Sequence, residues 1–125
     1  MGSLSIGFAI TYLVLKLIMI SNNYSFILLL AVYGTDSVLT ILHRLFLKQN
    51  IFKAHRLHLY QVIISSTGTP HLRMTIIYMC AQAIVSAVFI SILSKSMVQV
   101  YAFTGVILLV LSTLYILIKR KFYKS

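Results

Sequence analysis

An all-α, polytopic membrane protein of about four transmembrane helices is the fold class this sequence predicts, and three observations predict it. The 125 residues are 60% hydrophobic, with a mean hydropathy of +0.98. Only 10% are charged, whereas a soluble domain carries about a quarter. The apolar residues also fall in four runs, each close to the roughly 20 residues needed to cross about 30 Å of hydrocarbon.

The runs are residues 4–20, broken only by Lys16; 24–46, which holds Asp36; 74–93; and 100–118. Each is predicted to be helical, because lipid offers no partner for an open backbone group. Ser21-Asn22-Asn23 is short, polar and uncharged, and joins the first two runs in a tight hairpin. Residues 94–99 are also short, with Lys95 as their one charge. The middle connection, 47–73, is longer and carries Lys48, Lys53, Arg56 and Arg73, with Arg44 just before it. Its Thr67-Gly68-Thr69-Pro70 is a turn signal that ends the loop and starts the third span. No internal repeat, low-complexity tract or soluble domain interrupts the pattern, so residues 1–125 read as a single membrane domain. The N-terminus lacks the positive region of a signal peptide.

Eleven Lys and Arg face one acid, Asp36, for a formal net charge of +10. Nucleic-acid binding would need a polar, exposed basic face. Here the bases cluster between apolar runs, so no nucleic-acid partner is expected. With four spans, the middle loop, the 119–125 tail and both termini share one side. That side holds Arg44, Lys48, Lys53, Arg56, Arg73, Lys119, Arg120, Lys121 and Lys124; the other holds Lys95. Such asymmetry predicts a cytoplasmic loop and tail, and a multi-pass protein of the cytoplasmic (inner) membrane.

Asp36 is the most informative single residue. It lies eight residues before Arg44, about 12 Å deep along a helix, where a carboxylate is costly unless paired or wet. It marks either a polar cavity opening toward the loop or a structural partner for a buried base. Lys16 is a snorkelling residue first and an ion-pair partner of Asp36 second. The lone Cys80, inside an apolar run with no base beside it, reads as a core thiol rather than a nucleophile.

The loop reads Asn50-Ile51-Phe52-Lys53-Ala54-His55-Arg56-Leu57-His58-Leu59-Tyr60-Gln61. Two histidines and an arginine within four residues form a compact donor cluster. Arginine gives planar bidentate bonds to phosphate, and histidine donates or carries charge near neutral pH. The cluster suits a diphosphate or a phosphorylated lipid. The plainer alternative is a positive loop touching lipid headgroups, which accounts for Lys48 and Lys53 but less well for His55 and His58. Zinc is not expected: His-x-x-His has no acid or cysteine near it, and nothing in the spacing draws in His43 or His71.

The stretch Asp36-Ser37-Val38-Leu39-Thr40-Ile41-Leu42-His43-Arg44-Leu45, then Asn50-Ile51-Phe52, then Ala54-His55-Arg56-x-His58-Leu59-Tyr60-Gln61, resembles the C-terminal part of the polyprenyl-phosphate N-acetylhexosamine-1-phosphate transferases. Gly2-Ser3 is similar to the end of that family's Gly-Asp-x-Gly-Ser motif. The resemblance implies the C-terminal part of a ten- or eleven-helix bundle. It implies transfer of a sugar-1-phosphate from a UDP-N-acetylhexosamine to undecaprenyl phosphate, with release of UMP, in cell-wall or surface-polysaccharide biosynthesis. It further implies that His55, Arg56, His58 and Arg44 bind the substrate diphosphate, with Asp36, Tyr60 and Gln61 in support.

Two departures stand out. Tyr33-Gly34-Thr35 replaces the Pro-Leu that precedes the Asp in many relatives. The family's paired aspartates and its metal-binding Asp would lie before Met1. The family uses Mg2+, yet one acid makes no sound magnesium site. The chain is therefore expected to be a C-terminal portion, inactive alone and completed by an N-terminal portion. The competing readings are a non-catalytic module that binds anionic lipid or a partner in the bilayer, and, more weakly, a small transporter.

Overall fold

The computed structural model describes residues 2–48 and 58–123, and among these all regular structure is helical. The helices are α1 (Gly2–Ser21), α2 (Ala31–Phe46), α3 (Leu59–Thr67), α4 (His71–Ile92) and α5 (Met97–Tyr123). A seven-residue 3₁₀ segment, Tyr24–Leu30, leads directly into α2. Three stretches are long and apolar enough to cross a membrane: Tyr24–Phe46, His71–Ile92 and Met97–Phe122. The described apolar part of the first helix, Ser5–Ser21, is shorter.

The first connection is the tight hairpin expected from its polar residues. Asn22 takes a left-handed φ of 51°, a conformation asparagine tolerates better than most residues. Asn23 then caps the 3₁₀ segment, its side chain accepting the Ser25 amide at 2.9 Å. Helix α1 packs mainly on that segment, and most of its large apolar side chains are exposed.

The middle connection differs from a plain loop. Leu59–Thr67 forms α3, which packs on α5 and α4. Gly68 ends it with a φ of 66° and donates its amide to the Ile64 carbonyl at 2.9 Å, the left-handed cap glycine provides most readily. Pro70 then opens α4, its carbonyl accepting the Arg73 amide at 3.0 Å. The last helix carries on into the basic tail. Helix α5 runs on to Tyr123, and Lys119 is buried in it rather than standing free.

The core is small and lies at one end of the bundle. Leu28, Ala31, Phe89 and Val100 are buried together, with Phe26 edge-on to Phe89 at 5.4 Å. More than half of the large apolar side chains on α4 and α5 are exposed, as lipid-facing helices require. Cys80 belongs to that outward set and is exposed. The expectation of a core thiol is thereby corrected, because α4 has too little packed face to cover it.

Candidate functional site around Asp36

Asp36 sits on α2 six residues beyond the 3₁₀ segment and is 3% exposed. Its Oδ1 accepts the Leu59 amide at 2.9 Å and the Thr40 hydroxyl at 3.2 Å. His58 Nδ1 stands 3.7 Å from the same oxygen. Its Oδ2 accepts the Tyr78 hydroxyl at 3.2 Å. One carboxylate thus ties α2 to the start of α3 and to α4.

The Leu59 contact has a local cause. His58 is the residue before α3, with extended backbone (φ −62°, ψ 142°), and its side chain makes no cap. The first amides of a helix lack intrahelical partners and carry partial positive charge. Asp36 supplies the missing cap from another helix, and this places α3 against the bundle.

A second set of bonds leads away from the same oxygen. Thr40 has one proton, and it goes to Asp36. The 2.9 Å contact between Thr40 and Tyr115 is then donated by the tyrosine hydroxyl. Tyr115 in turn accepts a bond from Lys119 Nζ, whose ammonium also lies 4.9 Å from the ring centroid. The chain Lys119→Tyr115→Thr40→Asp36 runs one way, from ammonium to carboxylate, and all four residues are buried. Aligned donors polarise one another, which strengthens each bond in a low-dielectric interior.

Aromatic rings line the edge of the site. His58 stacks on Tyr60 at 6.1 Å, and Tyr60 meets Tyr78 edge-on at 6.2 Å. Gln61 Nε2 donates to the Tyr60 hydroxyl at 3.1 Å. Beside Tyr60 opens an apolar groove of about 320 Å³, running between Leu30, Tyr33, Met74 and Met79 to Gln82.

Of the residues singled out in the sequence, Asp36, His58, Tyr60 and Gln61 are brought together around this carboxylate. Arg44 is buried in the last turn of α2, on the same helix face as Asp36 and Thr40 at intervals of four. His55 and Arg56 lie outside the described residues. Lys16 is exposed on α1, and the described partners of Asp36 all come from elsewhere. Thr40, Tyr78, Gln82, Tyr115 and Lys119 were not anticipated. Their signal was present: polar residues recur every fourth position at 36/40/44, 78/82/86 and 115/119 in otherwise apolar helices, and that interval aligns one helix face.

The magnesium ion implied by the resemblance does not fit these residues. Mg2+ is held by oxygen ligands, usually including carboxylates. Asp36 is the only acid in the chain, and both its oxygens already accept bonds from the protein. No group of three His, Cys, Asp or Glu gathers among the described residues. Compared with protein-family models, curated proteins and solved structures, the chain matches none.

Proposed function

We propose that this chain is the phosphate-handling part of a membrane transferase that moves an N-acetylhexosamine-1-phosphate from a UDP-sugar to undecaprenyl phosphate and releases UMP. The observation that carries this reading is the docking of His58 and Leu59 onto Asp36. It joins residues of the two stretches on which the family resemblance rests, and it holds His58 near the end of the bundle where Arg44 and Lys119 are buried. His58, with His55 and Arg56 before it, binds the diphosphate of the UDP-sugar. Arg44 adds positive field. Fixed cationic donors of this kind stabilise the charge of a transferring phosphoryl group. Any carboxylates for Mg2+ would come from outside these 125 residues, whose one acid is Asp36.

In this reading the protein is a four-span protein of the cytoplasmic membrane, with α1 as the first span. The 47–73 segment and both termini face the cytoplasm, as the basic residues require.

The test is binding of UDP-N-acetylglucosamine to the chain in nanodiscs, followed by ³¹P NMR. Saturable binding should weaken about tenfold or more in His58→Ala, since a charge-assisted bond contributes about 1.5–3 kcal/mol. Lys95→Ala, on the opposite side, should change nothing. Binding that ignores His58 but tracks the anionic lipid content of the disc would replace this reading with a lipid-binding module.

A further inference from the structure

The break in the second span has an unusual construction. In a continuous α-helix the Val32 amide would donate to the Leu28 carbonyl. Here it donates instead to Gln82 Oε1 at 3.0 Å. The Leu28 carbonyl accepts Gln82 Nε2 at 2.9 Å and the Ala31 amide in 3₁₀ fashion. The carboxamide of Gln82, from α4, is thus inserted as a spacer into one rung of the helical ladder. Its second Nε2 proton goes to Ser86 Oγ at 3.1 Å, so the amide is fully engaged.

The segment before the insertion is itself unusual. Runs of 3₁₀ helix beyond about three or four residues are uncommon, and this one has seven. A side chain entering the ladder is a recognised cause of a helix break. Gln82 also lies one turn from Tyr78 on α4, and Val32 one turn from Asp36 on α2. The amide insertion and the Tyr78–Asp36 bond are therefore successive contacts between the same two helices.

We propose that Gln82 is a register pin. Inserted, it holds the second span broken and presents Asp36 to His58 and Leu59. Withdrawn, it lets Val32 bond to Leu28, and the span closes into a continuous α-helix. The magnitudes show what closure does. A 3₁₀ helix rises about 2.0 Å per residue and an α-helix 1.5 Å, so seven residues shorten by about 3.5 Å. They also rewind by about 140°, from three residues per turn to 3.6. Asp36 moves off the Leu59 amide and the Tyr78 hydroxyl, and α3 loses its cap. Closure of the ladder requires no substrate and does not depend on transferase activity.

Spin labels at Tyr24→Cys and Phe46→Cys, both exposed positions, in a Cys80→Ser background, measure the length of the span by pulsed electron resonance. Gln82→Leu should shorten the distance by about 3.5 Å, and amide exchange at Leu59 should accelerate. Adding Val32→Pro to Gln82→Leu should restore both readouts. Proline has no amide to satisfy, is tolerated in the first helical turn and clashes with the carbonyl four residues back, so it rebuilds the break without the glutamine. A merely structural glutamine predicts the reverse, with the double variant worse than either single. An unchanged distance in Gln82→Leu, or no restoration in the double variant, overturns the proposal. If Gln82→Leu does not fold, Val32→Pro alone decides: wild-type distance and Leu59 protection support the pin, and loss of either refutes it.

Discussion

At Asp36 four groups from α2, α4 and the start of α3 share two carboxylate oxygens. Asp36→Ala leaves a helix-terminal amide, two hydroxyls and a histidine facing an empty site, at a cost of about 3–5 kcal/mol. Asp36→Asn keeps one oxygen for Leu59 and Thr40 but turns an NH₂ group toward Tyr78, at a cost of about 1–3 kcal/mol. Unfolding free energies from steric trapping in bicelles should rank the variants in that order. The Lys119–Tyr115–Thr40–Asp36 chain makes a second prediction. Tyr115→Phe and Thr40→Val should be non-additive, coupled by about 0.6–1.7 kcal/mol as interhelical bonds in membranes are, and a double-mutant cycle measures it. Additive losses would mean that the Thr40–Tyr115 bond carries no coupling energy. At this scale Asp36 and His58 were legible in the sequence because an intramembrane acid and a clustered histidine are individually improbable. Tyr115 and Lys119 were not. A tyrosine in an apolar helix is commonplace, and a lysine in a Lys-Arg-Lys run reads as a solvated tail until its burial is known.

At the scale of elements, the termini carry the testable detail. Gly68 caps α3 at a φ of 66°, and a Cβ added there would meet nothing within 4 Å. Gly68→Ala therefore incurs only the left-handed backbone penalty, about 1 kcal/mol, seen as faster amide exchange over Ile64–Thr67. Asn23→Ala removes the cap of the 3₁₀ segment and should cost about 1 kcal/mol, measured as a loss of thermal stability in detergent. The apolar runs and their turns were legible because length, composition and Gly-Pro punctuation act locally. Helix α3 was not, since nine residues of mixed polarity become a helix through a cap supplied from Asp36, twenty-three positions upstream. The 3₁₀ segment was hidden for the same reason: its far end is held by Gln82, fifty positions away from Val32. The continuation of α5 to Tyr123 was not legible, because a Lys-Arg-Lys run after an apolar stretch carries no local signal for where the helix stops.

For the whole molecule, topology is the first property to test. Single cysteines at Asn22 and Lys53, in a Cys80→Ser background, should react with a membrane-impermeant maleimide from opposite sides, Lys53 from the cytoplasm. Labelling of both from one side would remove Tyr24–Phe46 as a span. The bundle also bears on transport. One set of polar bonds runs from Lys119 through Tyr115 and Thr40 to Asp36 and Tyr78, and a separate set joins Gln82 to Val32, Leu28 and Ser86. Beyond them Leu28, Phe89 and Val100 are packed with essentially no exposed surface. The interior is thus polar at one level and sealed by apolar packing at the next. The buried carboxylate is therefore reached by polar bonds from the Lys119 side alone among the described residues, while its other side is closed by packed hydrocarbon.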